Sequence, residues 1–160
     1  MKTALVALLL LSFSVHAQVK EEVDRFTGKV KLTYSSEEKI VPDGRPHIVL
    51  SWNSASSSAD IFLFTGSTRE WRYLKCNHVN WLADGAALAT GETTHHGEVS
   101  PPRRFIRLKE SIIQTLSLEN LEAISSASSV EFRICNDEYA LTSSEIDGFR
   151  QFLAKAKSSN

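Results

Sequence analysis

The stretch SVEFRICNDEYALT, residues 129–142, decides the fold class of this chain. Apolar and polar residues alternate on both sides of Asn136-Asp137, a pair of residue types that is common in turns. This pattern predicts a β-hairpin with one apolar face. We expect the register that pairs Cys135 with Glu138, because a shift by one residue would move the apolar side chains to the opposite face. The apolar residues that this register sets opposite each other are Ile134 with Tyr139 and Phe132 with Leu141.

A helix is predicted on each side of this hairpin. Ser117 can cap the first helix, whose apolar residues recur at helical spacing. Thr142 and Glu145 form a capping-box pattern at the start of the second helix, and Lys155 and Lys157 lie near its end, where the helix dipole favours cations. The residues expected to face the core are Leu118, Leu121 and Ile124 in the first helix and Ile146, Phe149, Phe152 and Leu153 in the second.

Most of the chain before these helices has the patterns of short strands. Several segments alternate apolar with polar residues, and IFLF at 61–64 is apolar throughout, as suits a central strand. Asp84-Gly85 predicts a two-residue hairpin turn, and GETTHHGEVSPPRR (91–104) predicts a polar loop. The expected strands span residues 30–34, 48–52, 61–64, 71–76, 79–83, 86–90 and 105–116.

These elements together predict one α+β domain over residues 18–160. Its main layer is a mostly antiparallel β-sheet, and the chain finishes in the order strand, helix, hairpin, helix. We expect the two helices of the C-terminal region to pack on one face of the sheet, since each has an apolar stripe to bury.

Residues 1–17 have the pattern of a secretory signal peptide. Lys2 is followed by an almost wholly apolar run from Ala4 to Val15, and Val15-His16-Ala17 resembles a signal-peptidase site before polar Gln18. The apolar run is shorter than the roughly 20 residues that a membrane span needs. No later stretch is long enough either. We therefore expect a secreted or periplasmic protein that begins at Gln18 and has no transmembrane segment after cleavage.

The charge of the mature chain indicates no polyanionic partner. Cleavage removes Lys2, which leaves 17 of the 18 basic residues against all 19 acidic ones, a formal charge of 17 − 19 = −2. Nucleic-acid and anionic-membrane binders usually carry a basic surplus. We therefore expect neither nucleic acid nor an anionic membrane surface as the partner.

The two cysteines, Cys76 and Cys135, are expected to form a disulfide. Export favours oxidation, and two cysteines allow only one intramolecular pairing. The bridge would close a loop of about 60 residues, which in the chain-entropy model stabilises the fold by roughly 4 kcal/mol. Two free thiols, or a bridge between chains, remain as alternatives.

Chemistry at Cys76 is the alternative hypothesis. His78 follows it at the spacing of residues on one face of a strand, so it can serve as a base for a thiol nucleophile. With His95 and His96 the same pair would supply candidate zinc ligands. No ligand spacing matches a known zinc motif, and G-x-S-x-G, H-E-x-x-H and phosphate loops are all missing from the sequence. We therefore expect no catalytic residue, metal or cofactor.

The aromatic and basic residues at 71–75 are the candidate partner-binding surface. In a strand, Trp71 and Tyr73 would share a face with Lys75, and Arg72 would lie beside them. Exposed Trp, Tyr and Arg are frequent anchors of protein interfaces, although ordinary packing in the sheet also explains such aromatics. The sequence thus favours a small exported domain without catalysis that binds a protein or a cell-envelope component. The alternative is an exported enzyme or metal-binding protein that uses Cys76, His78 and the His95-His96 loop.

Overall fold

The computed structural model describes residues 19–36, 44–68, 70–100 and 107–159, so the expected signal peptide lies outside the described residues. Within these ranges the protein has the predicted α+β class, with every strand pairing antiparallel. The strands are β1 (Lys20–Val23), β2 (Val30–Ser35), β3 (His47–Asn53), β4 (Ser58–Thr68), β5 (Val79–Ala83), β6 (Ala86–Ala87), β7 (Thr93–Ser100), β8 (Arg107–Ser117), β9 (Val130–Ile134) and β10 (Asp137–Ala140). The helices are α1 (Leu118–Ser126) and α2 (Ser143–Ser158).

The strands form two sheets, whereas the sequence suggested a single main sheet. The larger sheet has six strands in the order β1-β2-β3-β4-β8-β7, and the smaller has four in the order β10-β9-β5-β6. The IFLF stretch lies in the interior of the larger sheet, as predicted, because β4 pairs with both β3 and β8. Ile61 and Leu63 point into the core, while Phe64 on the other face is 41% exposed.

The turn between β5 and β6 confirms the Asp84-Gly85 prediction. Both residues have positive φ, 47° for Asp84 and 80° for Gly85, as this kind of tight hairpin turn requires. The return strand is shorter than predicted, since β6 contains only Ala86–Ala87.

The hairpin of β9 and β10 forms, but its predicted register is wrong. Ile134 pairs with Asp137 and Phe132 with Tyr139, so the turn is Cys135-Asn136. The shift keeps the same residues on each face, which is why the pattern of alternation did not reveal it. A stack of three aromatic rings fits the observed register, because Phe132 lies 4.9 Å from Trp81 and 5.1 Å from Tyr139 between ring centroids.

The two helices begin where their capping residues predicted. The Ser117 side chain accepts a hydrogen bond from Asn120 N at the start of α1, and Thr142 forms a complete capping box with Glu145 at the start of α2. The helices pack against each other, α2 against β2 and α1 against β8. Of the residues predicted to face the core, all but half-buried Leu118 are buried: Leu121, Ile124, Ile146, Phe149, Phe152 and Leu153.

Two segments differ from their predicted conformation. Residues 71–76, predicted as a strand, have no regular structure and belong to the connection between β4 and β5. Residues 93–100, predicted as loop, form edge strand β7 paired with β8. Both differences involve β8. It pairs with residues 93–100, and the side chain of its Glu110 accepts hydrogen bonds from two backbone N–H groups of residues 71–76.

Candidate binding surface

The predicted Cys76–Cys135 disulfide is present. The Cα atoms are 5.9 Å apart and the cysteines are 59 residues apart in sequence, within the usual Cα range of about 4.4–6.8 Å. Cys76 lies at the end of the connection from the larger to the smaller sheet. Cys135 lies in the β9–β10 turn. The bridge therefore fixes the connection to the smaller sheet.

Glu110 fixes the other end of the connection. It is buried on the inner face of β8, where its side chain accepts hydrogen bonds from Arg72 N at 2.8 Å and from Tyr73 N at 3.0 Å. His95 Nε2 on neighbouring β7 lies 2.9 Å from Glu110 Oε1. A buried carboxylate is costly unless such partners surround it. Glu110 thus supplies the hydrogen-bond acceptors that a neighbouring strand would otherwise provide to the Arg72 and Tyr73 amides.

Tyr73 anchors the middle of the connection. It is only 1% exposed, so the exposure expected from a strand-like alternation is wrong. Its hydroxyl donates to Asp137 Oδ2 at 2.9 Å and lies 2.9 Å from the Tyr139 hydroxyl. Burial, together with these hydrogen bonds to Tyr139 and Asp137, raises the pKa of Tyr73. Both partners belong to β10, so Tyr73 ties the connection to the smaller sheet.

Four residues of the connection face outward beside this anchor, and we call them the connector surface: Trp71, Arg72, Leu74 and Lys75. Arg72 and Lys75 are exposed, and Leu74 is 55% exposed. Arg72 is held in place, because its Nε donates to Asp137 Oδ2 at 3.0 Å and its Nη1 to Gly44 O at 3.2 Å. Trp71 is half-buried and packs on Gly97 of β7, where a Cβ atom would lie 2.5 Å from the Trp ring.

Leu74 is the surface residue that the sequence did not reveal. In the predicted strand, Leu74 lies on the opposite face from Trp71. As an apolar residue of a strand it would be expected to be buried. Glu110 was also missed, although the sequence carried a signal for it. It occupies a core position in the alternation of β8, next to Leu108 and Ile112 on the same face. A carboxylate at a core position indicates a specific partner.

Gln114, two positions further along β8, joins the two sheets in the same way. It is 1% exposed, and its Oε1 accepts a hydrogen bond of 2.8 Å from Trp81 Nε1 in β5. Its Nε2 lies within donating distance of the Gly91 carbonyl, at 2.9 Å, and of Val79 O, at 3.2 Å. The position of the smaller sheet relative to the larger one is therefore set by buried polar contacts as well as by apolar packing.

The three candidate histidine ligands lie in different places. His78 is exposed, and its Nδ1 is 3.4 Å from Cys76 Sγ. His95 is on the inner face of β7 beside Glu110, while His96, the next residue in the strand, is exposed on the outer face. Adjacent strand residues point in opposite directions. The structure therefore brings only His78 to Cys76, whose sulfur is bonded to Cys135 and is neither a nucleophile nor a thiolate ligand in this state.

No protein-family model matches the chain, and no characterised protein is similar to it at a significant level. In the part of the chain that the structure describes, neither helix has the length and apolar character needed to cross a membrane.

Proposed function

We propose that the protein is a small exported domain without catalysis and that it binds a protein or cell-envelope partner through the connector surface. The observation that carries the proposal is the contrast between the fixed backbone of residues 71–76 and the side chains that it exposes. Two amides of this segment bond to buried Glu110, and its last residue is disulfide-bonded. Leu74 nevertheless projects into solvent with 55% of its surface exposed.

A surface of this kind is suited to binding because its conformation is already fixed. Association loses free energy when loops and side chains become ordered, so a segment held in place before binding avoids much of that loss. Leu74 can enter an apolar pocket, and half-buried Trp71 can extend the contact. Lys75 places a positive charge at its edge, whereas the Arg72 guanidinium already pairs with Asp137, so an apolar pocket with an acidic group facing Lys75 is the complementary partner.

Export is the second part of the proposal. It is supported by the signal-peptide pattern of residues 1–17 and by the disulfide, since disulfides persist mainly in oxidising compartments. The partner would then be met in the periplasm, on the cell envelope or outside the cell.

A photo-crosslinking residue placed at position 74 tests the proposal in the protein's own compartment. Val23 is the matched control position, because it is also apolar, is 61% exposed and lies in β1 at the opposite edge of the larger sheet from β7. The proposal expects a discrete cross-linked protein or envelope component from position 74 that is missing from position 23. The same products at both positions, or none at 74, would contradict it.

Introducing a negative charge into the connector surface then tests the same contact in purified components. Once the cross-linked partner is identified, Leu74→Asp and Lys75→Glu should each weaken binding by about tenfold or more, the loss of roughly 1.4 kcal/mol or more that marks an interface anchor. Both side chains are exposed, so the folded domain should be retained. Unchanged affinity in both variants would remove the connector surface as the binding site.

A further inference from the structure

We propose that reduction of the Cys76–Cys135 disulfide creates a zinc site formed by the two cysteine thiolates and His78. The site differs from the sequence-based candidate because it includes Cys135 and excludes His95 and His96. The proposal does not depend on the proposed binding function.

The three ligand atoms are already close together. The Cys76 Sγ and Cys135 Sγ atoms and a ring nitrogen of His78 all lie within 4.8 Å of one another. Zinc bonds of about 2.3 Å to sulfur and about 2.0–2.1 Å to nitrogen place neighbouring S and N ligands of a tetrahedral site roughly 3.6 Å apart. The observed distance from Cys76 Sγ to His78 Nδ1 is 3.4 Å. The distance between these two ligand atoms is therefore close to that of a zinc site before any metal binds.

The two sulfur atoms can reach the separation of zinc ligands once the disulfide is reduced. In a tetrahedral zinc site, two thiolates lie roughly 3.8 Å apart. The two cysteine Cα atoms are 5.9 Å apart, so rotation of the side chains can supply this separation without moving the backbone. Two thiolates neutralise the charge of Zn²⁺, and the imidazole is a third good ligand. The exposure of His78 leaves the fourth position open to water.

The backbone around the site is held by contacts other than the disulfide. Cys135 N donates to His78 O at 3.1 Å, and the next pair of residues, Val79 and Ile134, begins the β5–β9 pairing. Cys76 N donates to the carbonyl of Tyr73, whose side chain is buried. The ligand positions should therefore survive reduction, so that the metal meets a preformed site.

The reaction needs a dithiol reductant. Its two thiols are oxidised to a disulfide, and the two electrons and two protons that they lose convert the Cys76–Cys135 bond into two thiols. Binding of Zn²⁺ then displaces the two thiol protons into solvent, since the thiolate is the ligand. A disulfide oxidant reverses the process: it takes up two electrons from the two thiolates and two protons from solvent to become two thiols, while the Cys76–Cys135 bond forms again and the metal is released.

Zinc titration of the purified protein in its oxidised and phosphine-reduced forms tests the proposal. A chromophoric zinc indicator reports affinity, and Co²⁺ substitution reports thiolate ligands through their charge-transfer absorption. His78→Ala removes one ligand, and His96→Ala is the matched control because it removes another exposed histidine on a different part of the surface. Circular dichroism checks that the reduced chain remains folded.

The proposal expects no zinc binding by the oxidised protein and one equivalent per chain by the reduced protein and by His96→Ala. His78→Ala should bind about tenfold more weakly or worse, since even an outer partner of a metal ligand is worth that much. Three results would overturn the proposal. They are a folded reduced protein that binds no zinc, equal affinity in His78→Ala, and a reduced chain that unfolds and is not restored by zinc.

Discussion

At the scale of single residues, Gly148 shows how a contact can reverse an ordinary helix preference. It lies inside α2, where alanine normally stabilises a helix by up to about 1 kcal/mol relative to glycine. Here a Cβ atom would lie 2.1 Å from the ring of buried Tyr34 in β2. The missing side chain is thus what allows α2 to approach the larger sheet.

Gly148→Ala should therefore lower the free energy of unfolding by about 1–3 kcal/mol, the usual cost of overpacking. Urea unfolding followed by circular dichroism measures the change. Gln151→Ala, on the exposed side of the same helix, is the control and should change stability by no more than about 0.5 kcal/mol. A Gly148→Ala protein as stable as the parent would show that α2 is not seated against Tyr34.

Glu110 carries the second prediction at this scale. Each of its carboxylate oxygens accepts a hydrogen bond from one backbone amide, Oε2 from that of Arg72 and Oε1 from that of Tyr73, and replacement by Gln turns one oxygen into an NH2 group that cannot accept. We expect a loss of about 1–3 kcal/mol, the usual cost of leaving a buried donor without its acceptor. The amides of Arg72 and Tyr73 should also exchange hydrogen faster. Glu98→Gln, at an exposed position of β7, should leave both measurements unchanged, and the same null result for Glu110→Gln would contradict its role as an anchor.

At the scale of elements, the sequence predicted the helix caps and the tight turn, because these depend only on residues that are close together in the chain. The caps at Ser117 and Thr142 and the turn at Asp84-Gly85 appear where their residue types indicated. The register of the β9–β10 hairpin did not follow, because pairings that differ by two residues sort the faces identically. It depends on aromatic contacts with β5, which lies far away in the sequence.

Residues 71–76 and 93–100 show a second reason why a local sequence pattern fails to predict secondary structure. Each segment was predicted from its own residues, 71–76 as strand and 93–100 as loop. Residues 93–100 can pair at the sheet edge because an edge strand buries few of its side chains. Glu110 accepts hydrogen bonds from two backbone amides of residues 71–76. Both outcomes depend on β8, which a local pattern does not include. For the same reason the sequence did not show that Tyr73 is buried while Arg72 and Lys75 beside it are exposed.

The Cys135→Ser variant tests the covalent link between elements. The two side chains are nearly the same size, so the change reports mainly on the bridge. The free energy of unfolding should fall by about 2–5 kcal/mol, and the Cys76 thiol should become reactive. His78→Ala keeps the bridge and should stay within about 0.5 kcal/mol of the parent. Equal stability of the parent and Cys135→Ser proteins would show that the disulfide adds nothing to the free energy of unfolding.

At the scale of the whole molecule, side-chain contacts join the two sheets and fix the connection between β4 and β5 at several points. Gln114 links β8 to Trp81, Tyr73 links the connection to Asp137 of β10, and the disulfide joins its end to the β9–β10 turn. The sequence predicted the α+β class and the disulfide from short-range patterns and cysteine count. It did not predict the division into two sheets, because that depends on buried polar contacts between residues distant in sequence.

We propose that the protein acts as an exported domain with the Cys76–Cys135 disulfide closed. The intact mass of the protein, recovered from its own compartment without reduction, tests both parts at once. We expect the mass of a chain that begins at Gln18, allowing for cyclisation of that glutamine, less the two hydrogen atoms lost when the disulfide forms. A mass that retains residues 1–17, or one that accounts for two free thiols, would contradict the account.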